Sequence, residues 1–402
     1  MRICILAPEF LPVWGGVGSY IVGLTKHLPK SVEIHVVTPA RDRLGSSDVS
    51  ISKSELQAGL PCNVHVHTIS KASDTFVYNA FFQYACLKFV PAFVKDNHID
   101  LIHSHTAQMP DLLLEFRKLK VPTITTVHTT IFGQRHGTRQ SGSSFRDLEF
   151  SEKATLLGYP FLRLAEKVYF SFKHSYLTPS NWMKDELVRR NPALASSKVW
   201  VVPNSVDTTH FHPSTNGQDD GPVLFTGRLV ASKGLRFLID AIPAILTEYP
   251  DTRFVFVGPG NYRPYDEKLR RLGVPPENYE FKGYLKGESA LVECYQSCSV
   301  FVAPTLYENM PIRILEAMAC GKPVASTNVC AIPEVINSGS NGILFPPQDS
   351  AALSSAICEL LGDTAQRRKL GENARRTVEE QFNWAINSQR ILSIYEELLS
   401  MT

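Results

Sequence analysis

Two glutamates, Glu308 and Glu316, bracket a stretch whose residue types can do chemistry: Tyr307-Glu308-Asn309-Met310-Pro311-Ile312-Arg313-Ile314-Leu315-Glu316-Ala317-Met318-Ala319-Cys320-Gly321. Proline suits a first helical turn, where a missing N–H costs nothing. Ile314, Leu315 and Met318 recur at helical spacing, and Gly321 with Pro323 ends the run. This pattern predicts one carboxylate just before a helix N-terminus and a second about two turns inside it. The first free N–H groups of the helix, around Met310, Pro311 and Ile312, then form a seat for an anion. Two acceptors flanking an anion seat suit a ligand with hydroxyls at both ends and phosphate between them, the order found in sugar–diphosphate–ribose. Taken alone, the same residues also fit an ordinary helix with solvated glutamates.

Three further groups carry candidate chemistry. Gly227-Arg228-Leu229-Val230-Ala231-Ser232-Lys233-Gly234 follows an apolar run and precedes a helix. It sets a guanidinium and an ammonium near a helix start, and both favour phosphate oxygens. Trp14-Gly15-Gly16-Val17-Gly18-Ser19 follows the first apolar run in the same way. Its glycines, Gly16 among them, allow close backbone approach to a phosphate, or simply make a tight turn. His103, His105 and His128 fall at or just past the ends of expected strands. His103 and His105 share a strand face and could ligate zinc, but no cysteine or acid cluster supplies the remaining ligands at a recognisable spacing, so no metal is expected.

Apolar runs and amphipathic stretches alternate through the chain. Strands are expected at Ile3–Ala7, Val32–Val37, Asn63–Ile69, Ile99–His103, Pro122–Val127, Ser175–Thr178 and Lys198–Val202. The expected helices between them include Thr75–Lys95, Leu112–Lys118 and Tyr159–Phe172. The polar segment Thr130–Asp147 reads as a long loop, either a lid or a solvated stretch. Turn formers dominate Val202–Pro222, which marks a linker. A second series follows, with strands at Val223–Thr226, Arg253–Val257, Tyr279–Lys282, Ser299–Ala303, Lys322–Ser326 and Gly342–Phe345. Each series predicts an α/β domain with an open parallel sheet. The expected division is 1–205 with a C-terminal helix 384–402, and 206–383. That helix is expected to cross back to the first domain, with the two domains facing across a cleft.

The 402 residues carry a net charge of only +2, so nothing in the global electrostatics favours nucleic acid. No apolar run is long enough for a membrane span or a secretory leader. The eight cysteines form no close CxxC pair, Cys294 and Cys298 sharing a helical face as packed small hydrophobes, and they read as reduced, which points to a cytoplasmic setting. The stretch Leu112–Lys120 turns from apolar to basic, so peripheral contact with the inner face of a membrane is a second expectation.

With these residues in place the chain resembles retaining glycosyltransferases of family 4, whose fold, GT-B, pairs two Rossmann-like domains. The resemblance rests on Glu308…Glu316 with Leu315-Glu316-Ala317-Met318-Ala319, on Gly227-Arg228-Leu229…Lys233-Gly234, and on Ile332-Pro333-Glu334. It also covers Asn341 to Pro347, Gly15-Gly16-Val17-Gly18, Asp100 to His105, and His128. It implies a metal-independent hexosyl transfer from a UDP- or GDP-linked sugar to a glycan, lipid or small-molecule hydroxyl, with no cofactor beyond the nucleotide-sugar co-substrate. Arg228 and Lys233 would bind the diphosphate, helped by backbone at Gly16 and Met310–Ile312. Glu316 would take the ribose hydroxyls and Glu308 those of the sugar. His128 would lie near the anomeric carbon, and Gly283 and Tyr284 would flank the base. Within the same fold, an ADP-glucose-using glucan or disaccharide synthase, a phosphorylase-like enzyme and a nucleotide-sugar epimerase are the alternatives. The chain departs from the family pattern at Arg313, often apolar, at Ser205 in place of glycine, and at Cys330-Ala331 in place of a glycine pair.

Overall fold

A computed structural model of the chain describes residues 1–11, 15–41, 43–44, 47–48, 59–72, 76–105, 109–172, 175–214, 220–285 and 287–401. Trp14, the expected helix start at Thr75 and residues 215–219 of the expected linker lie outside the described residues. The chain divides into two compact units. The first comprises Met1–Phe132, Ala154–Ser205 and Trp384–Thr402; the second comprises Gly133–Lys153 and Val206–Asn383.

The first unit is built on a seven-stranded parallel sheet, as its apolar runs predict. Its strands are β1 (Arg2–Leu6), β2 (Glu33–Arg41), β3 (Val64–Ala72), β4 (Leu101–His105), β5 (Thr123–Thr126), β6 (Ser175–Thr178) and β7 (Val199–Val201), in the order β3-β2-β1-β4-β5-β6-β7. Ile3 pairs in register with Ile34 on one side and Leu101 on the other. Helices α1 (Gly16–His27), α2 (Phe76–Asp96), most of α4 (Phe150–Tyr169) and α5 (Asn181–Arg190) belong to this unit, while α3 (Ile131–Gln140) lies mainly in the second. Cys4, Leu6, Val37 and Ile102 meet Phe82, Cys86 and Val90 of α2 in one apolar cluster.

The second unit carries a six-stranded parallel sheet: β8 (Val223–Thr226), β9 (Phe254–Val257), β10 (Tyr279–Gly283), β11 (Val300–Ala303), β12 (Val324–Thr327) and β13 (Ile343–Phe345), ordered β10-β9-β8-β11-β12-β13. Alternate residues supply two cores. Leu224, Val255, Val257, Phe301 and Ala303 lie on one face, and Val223, Phe225, Phe254, Phe256, Val300 and Val302 on the other. Helices pack on both faces, so the inner strands β8, β9 and β11 are buried and largely apolar, while the edge strand β10 alternates, with Glu280 and Lys282 exposed. The helices are α6 (Leu235–Glu248), α7 (Arg263–Arg271), α8 (Glu288–Ser297), α9 (Ile312–Ala319), α10 (Ser350–Gly362) and α11 (Thr364–Gln381).

The last helix, α12 (Trp384–Ser400), returns to the first unit. Trp384 lies edge-on to Tyr20 of α1 with ring centroids 5.2 Å apart, and the Tyr395 hydroxyl sits 2.6 Å from His103 Nδ1. A Cβ at Gly23 of α1 would collide with the Trp384 indole, so glycine there is what lets the helices meet. Ser205 has a structural use: its hydroxyl accepts from Asn387 Nδ2 at 2.8 Å.

Four expectations need correction. Residues 114–117 form only a 3₁₀ turn in place of the Leu112–Lys118 helix, because Lys118 takes a left-handed φ of 49° and closes the turn. The segment expected as a loop from Thr130 folds as α3, followed by a 3₁₀ turn at Phe145–Asp147. Its residues from Gly133 to Lys153 group with the second unit, whereas the sequence reading placed them in the first. The expected helix at Tyr159 begins earlier, at Phe150, and runs through Pro160. Cys330, where the family favours glycine, has a φ of 52°, the backbone region that makes glycine the easier residue. Among the described residues no helix is long and apolar enough to cross a membrane.

Candidate active site

In the second unit the strand order reverses between β8 and β11. Loops leaving neighbouring strands in opposite senses open a crevice at such a point. The loop after β8 carries Arg228 and Lys233; the loop after β11 carries Glu308 and leads into α9. The structure joins them: Lys233 Nζ forms an ion pair with Glu308 Oε2, and Thr305 Oγ1 donates to the same oxygen at 3.2 Å. Burial pushes the Glu308 carboxyl up, but Lys233 and Arg313 outweigh it and hold it below the usual carboxylate range. Burial, with Arg313 and Arg228 nearby, lowers Lys233, and Glu308 opposes that shift.

Helix α9 starts at Ile312 with Pro311 as its cap residue and no side-chain capping bond. The expected seat at Met310, Pro311 and Ile312 thus falls at a helix N-terminus whose helical N–H groups begin at Ile312, Pro311 having none. Glu316 lies further along α9. Its Oε2 accepts from the Tyr295 hydroxyl at 2.7 Å, and that hydroxyl is 2.8 Å from Thr226 Oγ1 at the end of β8. Burial pushes the Glu316 carboxyl up to about 7, reinforced by Glu288, while the Tyr295 bond and Arg313 oppose the rise. Arg313 is buried between the two glutamates' surroundings rather than reaching solvent. Its Nη1 donates to Thr226 O at 2.7 Å, and its guanidinium carbon stands 5.3 Å from the centre of the Phe225 ring. Gly227, which follows β8 beside that side chain, takes a φ of 127°, a backbone region that favours glycine.

The loop of Gly283 and Tyr284 ends β10, two strands from β8. It is stitched to the crevice by backbone: Gly258 N donates to Gly283 O at 2.8 Å, and Gly227 N to Val257 O at 2.9 Å. Burial raises the Tyr284 hydroxyl, and Glu288, which also acts on Glu316, adds to the rise.

Sequence reasoning missed how the loop of Lys233 is braced. Glu152 is buried; its Oε1 accepts from Ala231 N at 3.1 Å and from Thr138 Oγ1 at 3.3 Å, and its Oε2 from Glu149 N at 3.1 Å. Arg236 Nη1 donates to Ser141 O at 2.7 Å. Helix α3 lies flush on both loops through its glycine face. A Cβ at Gly133 would collide with the Tyr307 ring, and one at Gly137 would come within 2.9 Å of Tyr307 and 3.0 Å of Ser232. A glycine four residues after another was the one available signal, since two such residues share a helix face.

In the first unit Gly16 opens α1, the helix that follows β1 in the chain. His128, just past β5, has Nε2 3.0 Å from His105 Nδ1; the rings stack at 5.2 Å, and Tyr20 of α1 stands edge-on to His128 at 4.9 Å. His103 Nε2 lies 2.7 Å from Thr126 Oγ1. The ring nitrogens of His103 and His105 that have partners are thus committed to Tyr395, Thr126 and His128. Burial lowers all three histidines, His103 and His128 to about 3 and His105 well below its ordinary value, so the cluster is neutral near pH 7.

Comparison with known proteins places the chain. The model of the glycosyltransferase family 4 domain matches residues 14–210, and that of glycosyl transferases group 1 matches residues 221–363. The chain belongs to the family 4 glycosyltransferases and is a glycosyltransferase. It is 25% identical to the alpha-maltose-1-phosphate synthase of Mycolicibacterium smegmatis, over 99% of this chain and 100% of that one. It is 26% identical to the phosphatidyl-myo-inositol mannosyltransferase of Mycobacterium leprae, over 98% and 96% respectively. The sucrose-phosphate synthase of Thermosynechococcus elongatus has the same fold, with a TM-score of 0.80 at 19% identity over the whole of both chains. So does Anabaena HepE, crystallised with UDP and glucose: TM-score 0.72, 19% identity, 99% of this chain and all of that one.

Proposed function

We propose that this glycosyltransferase moves a hexose from a UDP- or GDP-linked donor to an acceptor hydroxyl, retaining the anomeric configuration and needing no metal ion. The observation that carries this reading is the Lys233–Glu308 pair beside the uncapped start of α9, with Glu316 on the same helix. A sugar diphosphate seated there meets Lys233, Arg228 and the helix N-terminus with its phosphates, Glu308 with its sugar hydroxyls and Glu316 with its ribose. Negative charge grows on the leaving diphosphate as the glycosidic bond breaks. Fixed cations and helix N–H groups already aimed at that charge lower the barrier without rearranging. The donor phosphate takes the acceptor proton, so no carboxylate nucleophile is assigned. Two assignments rest on the resemblance of motifs: His128 beside the transferred sugar, and the Gly16 backbone at the diphosphate. Gly283 and Tyr284 are carried in the same way as base contacts. UDP is supported as the donor nucleotide by the fold's likeness to HepE, which was crystallised with UDP and with UDP-glucose.

A second reading, a glucan or disaccharide synthase using ADP-glucose, is favoured by relatives that bear the names alpha-maltose-1-phosphate synthase and glycogen synthase.

A panel of UDP-, GDP- and ADP-sugars in chelator tests both. A ligand that binds only the folded chain raises its melting temperature. One nucleotide-sugar should shift the wild-type protein by several degrees and leave Lys233→Ala unmoved, while transfer by that variant drops by about 100-fold or more. A shift by ADP-glucose alone selects the second reading. Equal shifts in both proteins overturn the site.

A further inference from the structure

Helix α4 buries one face and leaves an apolar stripe on the other. Leu157, Phe161, Leu164 and Val168 follow one another at helical spacing, and they are 74%, 79%, 61% and 39% exposed. Side chains four, three and four residues apart line one face, here along roughly 17 Å of helix. Single exposed apolar residues need no explanation; a continuous row of large ones does. The row also continues past the end of α4. Phe172 packs edge-on against Phe116, ring centroids 5.4 Å apart, and Phe116 is itself 64% exposed.

The fully exposed charges on these two segments are cations, while Glu115 beside Phe116 is half-buried. Phe116 opens the exposed sequence Phe116-Arg117-Lys118, with Lys120 two residues on, and Lys167 is exposed beside Val168. Between Leu157 and Val168 the single acid is Glu166, which faces inward: it is buried, accepting from Ile131 N at 2.7 Å and from Arg163 at 2.6 Å. No carboxylate on the exposed face of that span competes for the cations. Large apolar side chains flanked by exposed lysine and arginine, with Glu166 buried, match the boundary of an anionic bilayer. There the apolar groups enter the acyl region and the cations meet headgroup phosphates.

We infer that α4 from Leu157 to Val168, together with the turn Phe116–Lys120, is a docking surface for an anionic lipid membrane. Every residue used lies in the first unit and outside the donor crevice, so the inference stands apart from the donor reading. It places the enzyme at a lipid surface and thereby points to acceptors that reside there.

Co-sedimentation of the full chain with extruded vesicles tests it. Vesicles containing phosphatidylglycerol should pull the protein down, less so as salt is raised, and pure phosphatidylcholine should pull down little. Phe161→Gln with Leu164→Gln should weaken binding by about tenfold or more, because two large apolar anchors are lost. Lys118→Gln with Lys120→Gln should remove the preference for anionic lipid. Both variants change exposed residues, and an unaltered melting temperature with an unaltered nucleotide-sugar shift shows that fold and donor site are intact. Failure of the wild-type protein to sediment with anionic vesicles overturns the inference, and so does wild-type sedimentation by the Phe161→Gln/Leu164→Gln variant. A dimer seen by light scattering that this variant dissolves overturns it as well, and assigns the stripe to a second copy of the chain.

Discussion

Glu316 holds its carboxylate against the Tyr295 hydroxyl in the interior of α9, where burial favours the protonated form. Its folded pKa is raised from 4.5 to about 7, so the folded chain binds this proton more tightly than the unfolded one across that window. The stability linked to the group is therefore full below the unfolded value and is lost as pH rises through the folded one. At about pH 8 the buried charge costs up to about 3 kcal/mol. Glu316→Gln removes that cost while keeping an acceptor for Tyr295. The variant should melt higher than wild type at about pH 8 and no higher near the unfolded glutamate value, and its transfer rate should fall by about tenfold or more, the scale of one lost charged hydrogen bond. Melting scans at the two pH values and a transfer assay check this. A gain in stability with a loss of activity marks a residue kept for its ligand rather than its fold; equal stability at both pH values would mean that the carboxylate is not held in the buried state. Lys233, Arg228 and the two glutamates were legible because each lies in a short motif at fixed spacing. Glu152 was not, because its role is to accept the N–H of Ala231, 79 residues away in sequence, and no local pattern encodes such a contact.

At the scale of elements, the inner strands were readable because both their faces are covered and demand apolar runs. Helix α3 was not, for a related reason: the face it buries is made of Gly133 and Gly137, and glycine leaves no apolar period to detect. Those glycines bring the helix against Tyr307 and Ser232, residues adjacent to Glu308 and Lys233. Gly133→Ala separates propensity from packing. Alanine favours a helix over glycine by about 1 kcal/mol, yet its methyl group would collide with the Tyr307 ring. We expect unchanged or higher helix content by circular dichroism, together with a several-fold weaker response to the nucleotide-sugar in thermal shift, since the collision displaces the loop that carries Glu308. A variant that binds donor as wild type does would show that α3 does not brace that loop.

For the molecule as a whole, the two units should answer acid in opposite ways. The first holds His103, His105, His128, His35 and His67 with burial as the leading cause of a lowered pKa, reaching about 3 for His103 and His128 and about 4 for His67. An unfolded histidine titrates near 6.5, so between that value and the folded ones the unfolded chain binds more protons. The stability these groups contribute is complete above about pH 6.5 and is lost progressively as pH falls toward about 4. Glu166, raised by burial, pushes the other way in the same unit, one group against five. In the second unit Glu316 and Glu152 are raised, so their protonation over the same window favours the folded form there, and Glu308, held low by Lys233 and Arg313, opposes them only as pH falls toward and below the unfolded glutamate value. The tryptophans provide the means to see this. Of the four tryptophans in the chain, the three among the described residues, Trp182, Trp200 and Trp384, fall within the first unit. Tryptophan fluorescence therefore follows that unit, while far-ultraviolet circular dichroism follows both. On titration from neutral pH toward about pH 4.5, the fluorescence transition should come first, with circular dichroism lagging and retaining the signal of a folded second unit. His103→Phe, which replaces a buried ring by one that cannot take a proton, should move the fluorescence midpoint to lower pH if its packing is kept. Coincident transitions by both probes would show instead that the units unfold as one, and that the histidine layer beneath α12 governs the stability of the entire chain.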